Sequence, residues 1–336
     1  MRKDPVAKIK TTIAKAKNIS VITHWSPDGD AMGSSLALFR YLKNLKKNVR
    51  VIVPNEYPGF LQWLPGNNFV LNHQTQTEKA EKFISKSDLI FTLDFNTLKR
   101  IEKLGDCITR NSSAKKIMVD HHQQPDNYAD LYYHDVHACS TCELIFQLIV
   151  KSSGTQSIDK SIATCLYTGI MTDTGNFRFP SVTAETHRIV ATLIEKGADN
   201  AAIYSAVQDD YSESRMRLVG YCLSQKMKIL KEYNASYICL TEKELTQFGF
   251  EKGDTEGLVN YALSIRGIRF SAFFMEKDGI IKTSFRSKGK VDVNMFARQY
   301  WKGGGHKNAA GGQFSGSMQE CEKKFLQEVK DKKIVV

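Results

Sequence analysis

The chain has 336 residues, 42% of them apolar and 25% charged, with only 7 prolines. That composition fits a folded globular protein and excludes collagen-like and disordered classes; the length suggests about two domains. The net charge of +11 is uneven, with 22 Lys and Arg against 14 Asp and Glu in residues 211–336, and 25 against 22 in residues 1–210. Within 257–316 the count is 10 basic to 3 acidic, which points to an anionic partner such as nucleic acid or a nucleotide. No run approaches the ~18 apolar residues of a membrane span. Met1-Arg2-Lys3-Asp4-Pro5 does not read as a signal peptide. Seven scattered cysteines, an odd number, argue against a disulfide framework and for a reducing cytoplasm.

Residues 5–17 read as an amphipathic helix. Ile19–Thr23 reads as a strand, then comes a polar loop and a helical pattern from about Met32 to Lys46. Val49–Val53, Asp88–Leu93 and Lys116–Val119 are further strands. Ser140-Thr141-Cys142-Glu143 reads as a capping box opening a helix through Val150. Helices follow over roughly Ile158–Thr172 and Ala184–Lys196, with Gly197 as a stop. Short apolar runs alternating with helices predict a doubly wound α/β domain, a parallel sheet covered on both faces. After about residue 210 the pattern changes. Strands at Met227–Lys231, Tyr237–Thr241, Ile268–Glu276 and Ile280–Arg286, with helices near Thr255–Ile265, Asn294–Tyr300 and Met318–Lys330, predict a smaller α+β domain. Lys277-Asp278-Gly279 reads as a hairpin turn. The expected division is 1–205 and 206–336.

Four polar clusters stand where these elements end. They are Thr23-His24-Trp25-Ser26-Pro27-Asp28-Gly29-Asp30, then Asp94, then Asp120-His121-His122, then Asp173. Ligands of open α/β sheets bind outside the carboxyl ends of the strands, so three of the clusters are expected to share one crevice. A carboxylate ending a buried strand is costly unless paired or bound to metal. Oxygen-rich donors with one or two imidazoles favour Mn²⁺ or Mg²⁺ over structural Zn²⁺, and a two-metal site suits displacement at phosphorus. Taken singly, each Asp is more often a helix cap or a turn residue. Joint coincidence of all four clusters is improbable.

These residues resemble the motifs of the DHH phosphoesterase superfamily. Asp120-His121-His122 is similar to its signature, and His24 with Pro27-Asp28-Gly29-Asp30-Ala31-Met32-Gly33-Ser34 to its first motif. Asp94 with Arg100-Ile101 resembles the second. Tyr167-Thr168-Gly169-Ile170, Asp173-Thr174-Gly175 and Phe177-Arg178-Phe179 resemble the fourth. Gly303-Gly304-Gly305-His306-Lys307-Asn308-Ala309-Ala310-Gly311 resembles the glycine-rich motif of the family's nucleotide-binding C-terminal domain, with Ser284–Ser287 and Val291–Asn294 before it. The resemblance covers nearly the whole chain, and this size is most similar to the nanoRNase/pAp phosphatase group. One departure is Lys302, where the family usually carries another glycine.

The resemblance implies two Mn²⁺ ions, with Mg²⁺ or Co²⁺ as alternatives. His24 and Asp28 would bind one; Asp30, His121 and Asp173 the other; Asp94 would bridge. Asp120 would orient a histidine, and His122 would face the scissile phosphate, polarising it or donating a proton. Arg286 and His306 would hold the substrate's other phosphate or its 3′ end, and Gly303, Gly304 and Gly305 would bring backbone N–H groups to an anion. The implied activity, in a cleft between the domains, is hydrolysis of short oligoribonucleotides (nanoRNA, pApA) from the 5′ end to mononucleotides, and of pAp to AMP. A cyclic di-AMP/pApA phosphodiesterase needs the same residues. A non-catalytic nucleotide sensor is disfavoured because all six candidate ligands are present. The expected partners are short single-stranded RNA, dinucleotides and pAp, with no membrane; a homodimer is expected on general grounds only.

Other features read as structural. Cys139 and Cys142 with His134 and His137 have zinc-like spacing, but the helix cap is the more economical use of that segment. Trp25 and Tyr167 could stack on a base but are more often core. His73 and His187 lie outside every cluster and read as surface or ordinary packing. The glycine triplet is not a P-loop, since no Gly-Lys-Ser/Thr follows a four-residue gap.

Overall fold

The computed structural model describes residues 5–331. The N-terminal reading of Met1–Asp4 and the end of the second domain, 332–336, lie outside the described residues. The chain divides into two compact units, Met1–Asp210 and Tyr211–Val336. No helix among the described residues is long and apolar enough to cross a membrane.

The first unit is built on six strands: β1 Asn18–Thr23, β2 Asn48–Val53, β3 Val70–Asn72, β4 Leu89–Leu93, β5 Lys115–Asp120 and β6 Leu131–His134. They pair in the order β3-β2-β1-β4-β5-β6, every pair parallel. Its helices are α1 Val6–Lys15, α2 Gly29–Asn44, α3 Thr77–Ser85, α4 Lys103–Arg110, α5 Thr141–Ser153, α6 Lys160–Asp173, α7 Ala184–Glu195 and α8 Asn200–Gln208. Alternate residues of the central strands feed two cores, as a sheet covered on both faces requires. Ile19, Val21, Val51, Phe91 and Val119 pack with α2, α5 and α6, while Ile22, Ile52 and Ile90 pack with Ala80 and Ile84 of α3 and Leu104 and Ile108 of α4. The edge strands β3 and β6 are short, with three and four residues, and the helices α3 and α4 span only nine and eight. No residue of β3 is fully buried, and α3 is polar apart from one narrow stripe.

Helices α2 and α6 approach closely because glycines face the contact. A Cβ on Gly33 would sit 2.5 Å from the Cys165 carbonyl, and one on Gly169 would sit 2.2 Å from Cys142 Sγ and 3.1 Å from Asp30. This packing brings the start of α2 against α6, with Asp30 held at the contact.

In the second unit, α9 Glu213–Tyr221 precedes strands β7 Met227–Leu230 and β8 Ala235–Leu240. Helices α10 Glu242–Gln247 and α11 Leu258–Leu263 lead to β9 Phe270–Lys277 and β10 Ile280–Ser287. The remaining elements are α12 Val293–Tyr300, β11 Gly304–His306, β12 Ala309–Phe314 and α13 Met318–Lys330. The strand order is β11-β12-β10-β9-β8-β7, with only β8 and β9 parallel. Asp278 and Gly279 both have positive φ, +55° and +75°, as a two-residue type I′ hairpin requires. Phe270, Phe274, Phe285, Phe325 and Trp301 fill the core. The buried Trp301 satisfies its indole N–H on Glu328 Oε2 at 2.8 Å.

Candidate active site

Strand order places the site. β1 leads outward to β2 on one side and β4 continues the sheet on the other, so the crevice opens at the carboxyl ends of β1 and β4. His24 immediately follows β1, Asp94 follows β4, and Asp120 closes β5 ahead of His121 and His122. Asp28 is the N-cap of α2, accepting the Asp30 and Ala31 amides at 3.1 and 3.0 Å. Asp173 is the last residue of α6.

These side chains converge. His24 Nε2 lies 3.4 Å from Asp94 Oδ2 and 3.9 Å from Asp28 Oδ1. His121 Nε2 lies 3.5 Å from Asp94 Oδ1, 3.4 Å from Asp173 Oδ2 and 3.8 Å from Asp30 Oδ2. Asp94 belongs to three donor groups, His24–Asp28–Asp94, Asp30–Asp94–His121 and Asp94–Asp120–His122. Both histidines are oriented through Nδ1, His24 on the Trp25 carbonyl at 2.9 Å and His121 on the Ala138 carbonyl at 3.2 Å. That leaves each Nε2 aimed into the cluster, the usual arrangement behind a metal-binding imidazole. Asp94 has φ +65°, a conformation that Asp adopts more readily than most residues and that clusters at functional sites.

His122 reaches the same carboxylate, its Nδ1 3.7 Å from Asp94 Oδ1. Its Nδ1 lies 2.8 Å from Asp120 Oδ1, and its Nε2 lies 3.1 Å from Arg100 Nη1. A guanidinium only donates, so Nε2 accepts and Nδ1–H donates to Asp120. The other oxygen of Asp120, Oδ2, is buried without a hydrogen-bond partner.

The electrostatics of the cluster follow from burial and crowding. Five carboxylates and three imidazoles share a mostly buried space. Burial disfavours a charged His24, yet hydrogen bonds to Asp28 and Asp94 hold its pKa at about 9. Burial likewise opposes charge on His121, but Asp94, Asp173 and Asp30 push its pKa well above the ordinary value. Burial and the neighbouring Asp94 and Asp173 carboxylates push Asp30 well above the carboxylate range. Asp94 goes the other way: despite burial, His121 and His24 hold it well below that range. Burial and Arg100 lower His122. Protons are thus retained where negative charge is in excess, and divalent cations would take their place on binding. The donors fit hard or borderline cations, being carboxylate and imidazole with no thiolate.

Two contributors were not legible as such in the sequence. Thr141 donates its hydroxyl to Asp94 Oδ1 at 2.9 Å, and the amides of Thr141 and Cys142 donate to Asp30 at 2.6 and 2.8 Å. The start of α5 thereby steadies both carboxylates. The helix cap there is only half a capping box: Ser140 accepts the Glu143 amide, but Glu143 reaches back to the Cys139 amide instead of Ser140. Arg100 was visible only as part of a motif; its partner His122 lies 22 positions away. Cys142 packs on the Asp30 carbonyl and Cys139 beside Ser140, while His134 meets the His122 carbonyl. His73, expected as surface or ordinary packing, is buried beside Glu81.

In the second unit, Arg286 pairs with Ala309, and Ala309 pairs with His306. Paired residues of antiparallel strands share a face, so Arg286 and His306 stand on one face with a small residue between them, two strand spacings or ~10 Å apart. The glycines also have a packing role. A Cβ on Gly303 would lie 1.8 Å from the Gly311 carbonyl, and one on Gly305 would lie 2.5 Å from the Ala309 carbonyl. The Gly303 amide donates to Ala297 O at 3.2 Å and the Gly305 amide to Asn294 Oδ1 at 3.0 Å. Two of the three N–H groups are thus already used in tying the glycine segment to α12. Lys302 takes the left-handed φ of +46°, the conformation that a glycine adopts without cost.

Residues 18–170 match the DHH family, N-terminal domain, and residues 232–333 match the DHHA1 domain. The chain is 29% identical over 304 residues to the bifunctional oligoribonuclease and PAP phosphatase NrnA of Bacillus subtilis, covering 89% of this chain and 90% of that protein. It is 30% identical over 308 residues to a Streptococcus mutans protein named as a probable NrnA of the same kind, covering 90% and 92%. A crystal structure of an exopolyphosphatase-related protein from Bacteroides fragilis superimposes with a TM-score of 0.92 at 43% identity, over 97% of this chain and 95% of that one. With two domain matches and full-length relatives, the chain belongs to the DHH phosphoesterase superfamily, in the group of the bifunctional oligoribonuclease and PAP phosphatase proteins.

Proposed function

We propose that this chain hydrolyses short oligoribonucleotides from the 5′ end to mononucleotides, and pAp to AMP. The observation that carries the reading is Asp94, shared by three His–carboxylate groups at the carboxyl ends of adjacent parallel strands. His24, Asp28 and Asp94 would hold one divalent cation, and Asp30, Asp94, His121 and Asp173 a second, with Mn²⁺ favoured by the donor set and Mg²⁺ or Co²⁺ as alternatives. Such a pair supplies Lewis-acid neutralisation of phosphate charge and lowers the pKa of water.

The chain's own groups do the positioning. Asp120 fixes the His122 tautomer, so His122 presents a lone pair at Nε2 beside the Arg100 guanidinium. In that state His122 orients or accepts; donating a proton to a leaving oxygen requires prior protonation at Nε2. Arg100 would meet the phosphate that His122 faces. Arg286 and His306 would take the substrate's other phosphate or its 3′ end, and the basic second unit favours an anion there.

The test is one panel of Mn²⁺-dependent turnover with EDTA controls: pAp, pApA, cyclic di-AMP, an RNA trimer and a long RNA. Fast cleavage of pApA and trimer with the long RNA spared supports the proposal. Preference for cyclic di-AMP would replace it with the cyclic-dinucleotide reading, and no metal-dependent turnover would overturn it.

A further inference from the structure

A second donor cluster lies in the first unit and shares no residue with the one above. His73 follows the edge strand β3, Glu81 is on α3, and Cys107 is on α4. His73 Nε2 lies 3.3 Å from Glu81 Oε1, and Cys107 Sγ lies 3.3 Å from the same oxygen. All three donor atoms fall within 4.8 Å of one another. Around a tetrahedral zinc, bonds of about 2.0–2.3 Å separate neighbouring donors by about 3.3–3.6 Å. Both 3.3 Å separations fall in that range.

We propose that His73, Glu81 and Cys107 bind a thiophilic divalent cation of the Zn²⁺ class, tying α3 and α4 to the edge of the parallel sheet. The donors are held in place independently of a cation. The His73 amide donates to Val53 O at the end of β2 at 2.8 Å, and its carbonyl accepts the Thr77 hydroxyl at 2.6 Å. His73 and Cys107 are buried, at 8% and 5% exposure, while the Glu81 side chain is 39% exposed and gives access from solvent. The Cys107 thiol points at Glu81 Oε1, and burial with that carboxylate raises its pKa. A proton therefore stands between sulfur and oxygen, and a cation would displace it to solvent as the thiolate forms. Arg110 supplies an outer partner, with Nη2 3.1 Å from Cys107 Sγ and 3.7 Å from Glu81 Oε2. An N–H donor on the sulfur would temper a thiolate's charge, and the ligand set of one thiolate, one imidazole and one carboxylate selects Zn²⁺ or Co²⁺ over Mn²⁺ and Mg²⁺.

The test uses the full chain, stripped with EDTA, saturated with Mn²⁺, then titrated with Co²⁺. The DHH-motif ligands include no thiol, so a thiolate-to-cobalt charge-transfer band reports the second site alone. One equivalent of Co²⁺ should develop the band. Cys107→Ser should abolish it, and Cys142→Ser should keep it. Glu81→Gln and His73→Asn retain the thiol and should weaken cobalt binding by about tenfold or more. Far-UV circular dichroism in EDTA establishes that each variant is folded. Absence of the band in the wild-type chain, its persistence in Cys107→Ser, or unchanged affinity in both thiol-retaining variants would overturn the site.

Discussion

The end of the parallel sheet and the glycine hairpin of the second unit use opposite means. At the sheet end the side chains do the work. Carboxylates and imidazoles are crowded at 3.4–3.9 Å and mostly buried, an arrangement that costs stability unless charge is neutralised. At the hairpin the backbone does the work. Glycines let two strands close up, and the side chains of Arg286 and His306 are set out on one face by register alone. The first region should therefore tolerate loss of a charge in stability but not in activity. The second should tolerate loss of a side chain but not the gain of a methyl group.

The largest expected effect is on Asp94→Asn. Asn accepts the positive φ of this position and can still accept the Thr141 hydroxyl, so the fold should persist, with a modest loss of thermal stability in EDTA because the depressed Asp94 pKa marks a stabilising charge. Turnover should drop about a thousandfold, roughly 4 kcal/mol of transition-state stabilisation. Retained turnover would show that Asp94 is not shared between metals. Next is Gly303→Ala, whose methyl would meet the Gly311 carbonyl at 1.8 Å; a cost of about 1–3 kcal/mol in urea unfolding is expected from overpacking alone. Gly304→Ala, where the nearest atoms are 3.6 Å away, should be nearly silent in the same assay, and equal costs would refute the backbone account of this hairpin.

Arg286→Ala is expected to be gentler than Asp94→Asn and different in kind. Loss of one charge-assisted hydrogen bond, about 1.5–3 kcal/mol, should raise KM for short nucleotides about tenfold to a hundredfold with kcat little changed. A fall in kcat at constant KM would place Arg286 on the reacting phosphate instead. The smallest effect concerns Glu244, bonded to Lys226 at 2.7 Å and Tyr221 at 2.6 Å. Burial opposes its charge, but those partners bring its pKa from 4.5 to about 2. With the folded value depressed, its contribution is complete above about pH 4.5 and fades as pH falls toward 2. The gap in urea midpoint between the wild-type chain and Glu244→Gln should narrow across that window, and a constant gap would remove the charge from the account.

The division between what was legible and what was not follows the range of the interactions. Composition, alternation of strands and helices, and the positions of His24, Asp94, Asp120 and Asp173 at element ends were readable, because buried parallel strands demand long apolar runs and polar residues then stand out at their ends. The turn at Asp278-Gly279 was readable because positive φ selects those residues locally. The edge strands β3 and β6 were not, being short and supported by one neighbour each. Nor were Thr141 against Asp94, Arg100 against His122, or His73 with Glu81 and Cys107. Those pairs join positions separated by 47, 22, 8 and 26 residues, and no local preference records them. Local chemistry and hydrophobic period determined which residues reach the end of the sheet. Tertiary packing, through the glycine contacts of α2 with α6 and the register of β10, β12 and β11, decided which of those residues touch.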